Sequence, residues 1–376
     1  MHFSRFPKTT ACLLSLLALS NVSGCSNINR YYDPSKPHHT PEGFRNNYRP
    51  NPAYKRPESS AASAWLRRIV NWTEEKPSTE PSRPLLPVKP DLAFIHANKT
   101  TPAVTWIGHA TFLVQMGNGI NILTDPIFAE RASPVSFAGP KRHQPPGLAI
   151  TELPRIDAIL LSHSHYDHLS LDCLRSLYAQ KGGPPIFFAP LGVDLWLQKN
   201  VTQGDATHIV KMDWWDSAKI KGTEIHFLPV QHWSSRTPWD RDETLWGAYA
   251  VRRPGFSFFF SGDLGYSQDI KDIAARFHGF DLAAIGIGAY QPLWYRNSHV
   301  SPEEAVQIHK ELGIKRSIGM HWGTFPMGEE RLDQPLDDLA AARKKLGVGE
   351  NEFFVMKHGE TIRLSESGDH RSRGSY

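Results

Sequence analysis

Three histidines and an aspartate fall within six residues at His163-Ser164-His165-Tyr166-Asp167-His168, directly after the apolar run Ala158-Ile159-Leu160-Leu161. Side chains two positions apart on an extended segment point the same way, so His163 and His165 can grip one divalent ion from the end of a strand. Asp167 and His168 sit in the turn that follows. From there a carboxylate and an imidazole can reach a second ion about 3.5–4 Å from the first, the spacing used by two-metal hydrolases. So many ionisable groups beside an apolar strand are costly to bury without a metal.

Each ion needs further ligands, and three candidates lie downstream. His232 follows an apolar run ending at Val230, Asp263 follows Phe258-Phe259-Phe260-Ser261-Gly262, and His321 follows Ser317-Ile318-Gly319-Met320. Singly, each has an ordinary reading: an exposed loop histidine, a helix cap, a buried hydrogen-bonded ring. Together they share one position, just past the carboxyl end of a strand, where sites gather in layered α/β sheets. Cys173, inside the helical pattern Leu171-Asp172-Cys173-Leu174, reads as a small buried apolar residue rather than a thiolate ligand.

The elements that must position these residues begin near residue 103. Short β-rich runs at 104–107, 111–114 and 120–124 are separated by Gly or Asn-Gly turns. Strands then alternate with helices. Strands are expected at 157–162, 186–188, 224–230, 248–252, 257–260, 281–285, 316–320 and 353–355. Helices are expected at 170–180, 192–199, 268–277, 302–312 and 336–346. Ser301, Pro302 and Glu304 mark the start of the fourth helix, through a cap, a first-turn proline and a capping box. Hairpins followed by strand-helix units imply two β layers with helices outside both.

The 376-residue chain is 40% hydrophobic, enough for one large core. Its formal charge of +4 is unevenly spread: residues 26–102 carry 12 Lys+Arg against 7 Asp+Glu and 12 of the 29 prolines, while 103–376 carry 28 against 31. The first stretch therefore reads as a basic, Pro-rich tether and wrapping segment. Within it, Trp65, Leu66, Ile69 and Trp72 stand at helical spacing beside Arg67 and Arg68, suited to packing on the body or lying on a membrane surface. The slightly acidic body shows no basic stripe, which argues against nucleic acid as a partner.

At the amino terminus, Arg5 and Lys8 precede an apolar run from Ala11 to Leu19 and then Val22-Ser23-Gly24-Cys25. This pattern reads as a secretory signal, and the last four residues resemble the lipobox of bacterial lipoproteins. That resemblance implies cleavage after residue 24, lipidation of Cys25, export, and an anchor facing the periplasm, with Ser26 favouring the outer membrane; ordinary signal cleavage nearby is the alternative. The expected organisation is a signal peptide over 1–24, a tether over 25–102, a catalytic domain over 103–364 and a polar tail over 365–376.

The pattern His-x-His-x-Asp-His with separated His, Asp and His resembles the metallo-β-lactamase superfamily, which implies an αββα sandwich. Longer blocks narrow this. Thr105-Trp106-Ile107-Gly108-His109-Ala110-Thr111, Thr124-Asp125-Pro126-Ile127-Phe128, Gln231-His232-Trp233, Ile287-Gly288-Ala289-Tyr290 and His321-Trp322-Gly323-Thr324-Phe325 are similar to the N-acylphosphatidylethanolamine-hydrolysing phospholipase D family. The resemblance spans about 102 to 364. It implies that His163, His165 and His232 hold one zinc, that Asp167, His168 and His321 hold the other, and that Asp263 bridges them. Asp167, Asp263 and His321 would serve catalysis, with a metal-bridging hydroxide attacking a phospholipid at a membrane surface to release phosphatidic acid and an N-acylethanolamine. His109 is expected as a donor behind the ligands, or as a core hydrogen bonder, and Tyr290 and His299 as substrate contacts or packing. A lactonase or small-molecule phosphodiesterase on the same scaffold and a non-catalytic zinc lipoprotein remain as alternatives, since ligands alone do not select substrate.

Overall fold

The structure, a computed structural model, describes residues 29–55 and 79–364. The signal segment, Cys25, the stretch around Trp65–Trp72 and the tail lie outside the described residues.

A small hairpin, β1 (His39–Thr40) with β2 (Gly43–Phe44), forms in the amino-terminal arm, and helix α1 (Leu92–Ala97) precedes the first sheet. That sheet grows from β3 (Pro102–Gly108), β4 (Thr111–Met116) and β5 (Asn121–Thr124), which are antiparallel, and continues in parallel through β6 (Ala158–Leu160), β7 (Ile186–Pro190) and β8 (Ile209–Met212). β16 (Thr361–Arg363) closes its other edge against β3. The second sheet repeats the plan: β9 (Ser217–Ile220), β10 (Thr223–Leu228), β11 (Ala248–Arg253) and β12 (Phe256–Phe260) are antiparallel, then β13 (Leu282–Gly286), β14 (Ser317–Met320) and β15 (Phe353–Phe354) run parallel.

Alternation along the strands explains the layering. Phe112, Val114, Ile122, Leu160 and Phe188 share a core with residues of the second sheet such as Phe227 and Phe258. Their neighbours Leu113, Leu123, Ile159, Leu161 and Phe187 turn the other way, onto Leu174 and Leu177 of α2 (Leu171–Tyr178) and Val193 and Leu197 of α3 (Val193–Asn200). Helices α4 (Asp269–Phe277), α5 (Pro302–Glu311) and α6 (Gln334–Leu346) supply Ile270, Val306 and Leu339 to the core of the second sheet. The result is the αββα sandwich expected, and the capping box of Ser301 and Glu304 starts α5 as read.

The arm is not a free tether where it is described. Lys36, His38 and His39 all converge on Asp213, with His38 Nε2 at 2.7 Å and His39 Nε2 at 3.1 Å, while the His38 ring stacks on Trp214 at 4.5 Å. Gly43 is needed there: a β-carbon would meet the Asp242 carbonyl oxygen at 2.2 Å. No helix among the described residues is long and apolar enough to cross a membrane.

Candidate metal centre

Every candidate ligand lies just past the carboxyl end of a strand: His163 after β6, His232 after β10, Asp263 after β12 and His321 after β14. The structure brings all seven together, with His109 and His299 beside them. His163, His165, His232 and Asp263 form one group whose ligand atoms lie within 4.8 Å of one another; His109, Asp167, His168 and His321 form the next. Asp263 joins the two, its Oδ2 at 3.2 Å from His168 Nε2 and 3.8 Å from both His163 Nε2 and His232 Nε2, its Oδ1 at 3.2 Å from His321 Nε2.

Hydrogen bonds outside the cluster decide which nitrogen faces in. Ser162 Oγ donates to Asp125, so it accepts from His163 Nδ1 at 2.8 Å; His168 Nδ1 donates to Asp125 Oδ2 at 2.7 Å, and His232 Nδ1 to the Ser298 carbonyl at 2.8 Å. With Nδ1 committed as a donor, the Nε2 lone pair of each ring is left for a cation. His168 Nε2 and Asp263 Oδ1 are buried yet make no hydrogen bond, the condition a bound ion would relieve. The donor set, all imidazole and carboxylate with no cysteine, suits zinc and other divalent transition ions. The residues present therefore fit divalent metal.

Electrostatics agree. Burial alone would raise the carboxyls of Asp167 and Asp263, but the histidines around them, His168 foremost, hold both well below the usual range. Against the same burial, Asp263 and Asp167 lift His321 to about 9 and His168 well above its ordinary value. Carboxylates that hold protons so firmly on neighbouring rings will also hold dications. Backbone strain gathers here too: His109, Asp125 and His321 have φ of 53°, 30° and 62°, a region side chains other than glycine seldom occupy and one common at functional sites.

The supporting residues divide clearly. His109 Nε2 lies 3.0 Å from Asp167 Oδ2 and orients that carboxylate. Asp125 accepts from Ser162 N, Ser162 Oγ and His168 Nδ1, and so steers His168. Asp157, just before β6, ties Arg155, Lys221 and the Asn121 amide together. His299 Nδ1 stands 3.7 Å from Asp263 Oδ2, and burial pushes its pKa down to about 4.

Of the two readings of Tyr290, the packing one matches its surroundings: the ring is buried and its hydroxyl donates to Asp338 on α6. Position within a sequence block does not tell which way a ring points.

Sequence reasoning missed Asn46, whose neighbourhood read as linker. Its Oδ1 accepts from His232 N at 3.0 Å, its Nδ2 donates to His232 O at 2.9 Å, and Trp246 Nε1 lies 3.3 Å from the same Oδ1. The arm thus clamps the backbone of a candidate ligand. Asn46→Ala is expected to weaken metal retention about 10- to 100-fold, measured by chelator competition. Unchanged metal affinity would reduce the clamp to packing.

Residues 120–322 match the β-lactamase superfamily domain. The chain belongs to the metallo-β-lactamase superfamily and is a metal-dependent hydrolase. More particularly, it is 39% identical over 274 residues to N-acyl-phosphatidylethanolamine-hydrolyzing phospholipase D 1 of Caenorhabditis elegans, covering 70% of this chain and 76% of that protein. It is 33% identical over 243 residues to the mitochondrial N-acyl-phosphatidylethanolamine-hydrolyzing phospholipase D of Saccharomyces cerevisiae, covering 62% and 50%. Among solved structures, Igni18, a metallo hydrolase from Ignicoccus hospitalis, superposes with a TM-score of 0.53 at 20% identity, covering 71% of this chain and 99% of that one, a likeness of fold alone.

Proposed function

We propose that this protein is a zinc phosphodiesterase of phospholipase D type, with two zinc ions, hydrolysing N-acylphosphatidylethanolamine or a related phospholipid to phosphatidic acid and an N-acylethanolamine. The observation that carries this reading is the 39% identity to the Caenorhabditis elegans protein over 274 residues, a stretch long enough to include the seven-residue cluster joined through Asp263. His163, His165 and His232 would hold one ion, Asp167, His168 and His321 the other, with Asp263 between them. Bound there, the ions would supply the positive charge that makes water acidic near neutral pH and neutralises phosphoryl oxygens.

The chain's own groups do the rest. Asp167 and Asp263 are held anionic by the rings around them, so they can accept a hydrogen bond from the attacking water and orient it. His109 and Asp125 keep Asp167 and His168 in register. His299, uncharged at neutral pH, can donate one N–H to a phosphoryl oxygen. Water adds to phosphorus, the bond from phosphorus to the ethanolamide oxygen breaks, and that oxygen leaves with a proton.

Cys25 would anchor the mature chain to a bacterial membrane, outer rather than inner, facing the periplasm. In an assay with defined phospholipids, products separated by mass spectrometry should show the released N-acylethanolamine, lost on chelation and restored by zinc. Full turnover in a chelator-stripped sample would sink the reading.

A further inference from the structure

The turn that carries His163, His165, Asp167 and His168 leaves β6 of the first sheet, whereas His232 lies between β10 and β11 of the second. Ligands from two sheets must therefore be held in register, and a metal site needs its ligands placed to within about 0.5 Å. Hydrogen bonds behind single rings orient those rings but do not tie one sheet's loops to the other's.

Arg236, four residues past His232, crosses that seam. Its Nη1 donates to the carbonyl oxygens of Ser164 at 2.7 Å and Leu169 at 2.9 Å. These two carbonyls bracket His165, Tyr166, Asp167 and His168, so one nitrogen closes the turn from both ends. Inside the turn, the amides of His168 and Leu169 donate to the His165 carbonyl at 3.1 and 2.8 Å. The guanidinium carbon stands 4.0 Å from the centre of the Tyr166 ring and 4.8 Å from that of Trp196 on α3, contacts that suit a planar, forked cation better than an ammonium.

The loop that supplies Arg236 is itself fixed. Asp240 Oδ1 accepts from the amides of Arg236 and Thr237 at 2.9 and 2.7 Å and from Ser235 Oγ at 3.2 Å. At the loop's far end Thr244 Oγ1 donates to Ser164 Oγ at 3.1 Å, and at its start Trp233 lies edge-on to His165 at 4.3 Å. Burial lowers the pKa of the Arg236 guanidinium from its ordinary value. An apolar side chain would avoid that desolvation cost, which points to a positional role.

We propose that Arg236 is a positioning residue that locks the His163–His168 turn of one sheet against the His232 loop of the other, and so sets the placement of both metal sites. This rests on the two-metal reading above. Arg236 acts through two peptides. The Ser164 carbonyl sits between His163 and His165, so freeing it lets the two rings turn relative to each other, while Leu169 directly follows His168.

The test compares the zinc-loaded full chain with Arg236→Ala, Arg236→Lys, Asp240→Ala and the double variant of Arg236→Ala with Asp240→Ala. Three quantities are read well below the melting temperature: zinc retention in chelator competition, the visible absorption of the cobalt-substituted protein, and kcat and KM for bis(p-nitrophenyl) phosphate. Arg236→Ala should hold zinc about 10- to 100-fold more weakly and shift the cobalt bands. Its kcat should fall while KM stays within about twofold. Arg236→Lys keeps the charge without the planar fork, so its retention should lie between. Asp240→Ala loosens Arg236 without removing it, so it should do less, and the double variant should lose no more than Arg236→Ala alone.

Zinc retention and cobalt bands equal to those of the unsubstituted chain, in whichever Arg236 variant folds, would overturn the proposal even if the melting temperature fell. Additive losses in the double variant would overturn it as well. Zinc retention is read without any lipid, so weakened retention in a chain whose unsubstituted form cleaves no phospholipid would leave Arg236 in place and sink the phospholipid reading. No zinc on the unsubstituted chain would overturn both.

Discussion

Asp263→Asn is expected to lower phosphodiester turnover by about 10³-fold or more, equivalent to about 4 kcal/mol of barrier, and to leave the chain with at most one tightly held ion. The reason is position. One carboxylate faces His168, His321, His163 and His232 at 3.2 to 3.8 Å, and His299 at 3.7 Å. An amide keeps the shape but removes the charge that holds both halves together, and it presents an N–H where a lone pair is needed. Folding should survive, because Asn keeps the shape of Asp and the apolar cores that carry the sheets are untouched. Metal counting by mass spectrometry on the purified variant, alongside turnover, checks both parts; two retained ions with near-normal turnover would contradict the bridging role.

Gly288→Ala comes next in size. A β-carbon there would lie 2.1 Å from the carbonyl oxygen of His321 and 3.0 Å from its carbonyl carbon, contacts that only a backbone shift can relieve. His321 already holds a left-handed φ of 62°, so it has little room to adjust. The shift should cost about 1–3 kcal/mol of stability and move a candidate ligand far enough to cost about 100-fold in turnover. Because His163, His165 and His232 are untouched, metal loss should be confined to one ion of the pair. Thermal unfolding with and without added zinc, together with metal content, separates a displaced ligand from general loosening. Equal loss of both ions would point to loosening.

The hexapeptide from His163 to His168 was legible because metal chemistry needs several rare residue types close together, and no packing requirement produces that density. His232, Asp263 and His321 were legible only as a set, through their shared place after strands, since each alone resembles a common structural residue. The central strands read well: Ala158 to Leu161 and Phe258 to Phe260 are continuous apolar runs in buried positions. The edge strands β8 and β9 did not, because Ile209–Met212 and Ser217–Ile220 are half exposed and carry lysines that blur the pattern.

Hydrogen-bond partners were harder still. Asn46 clamps His232 across 186 residues of sequence, and no local periodicity records such a contact. The Pro-rich composition that made the arm read as linker is real, but the arm stays in place through Asp213, which gathers Lys36, His38 and His39. Tyr290 was open between two readings for the opposite reason. Its neighbours belong to the site, with Gly288 packed against His321, while its own hydroxyl turns to Asp338.

The central claim is hydrolysis of a phospholipid headgroup by attack at phosphorus, and oxygen labelling tests it most directly. Metal-loaded full-length protein is incubated with N-acylphosphatidylethanolamine in water enriched in oxygen-18, and both products are weighed by mass spectrometry. The account predicts one heavy oxygen in phosphatidic acid and none in the N-acylethanolamine. Label in the N-acylethanolamine, release of diacylglycerol instead of phosphatidic acid, or an unchanged lipid would contradict it.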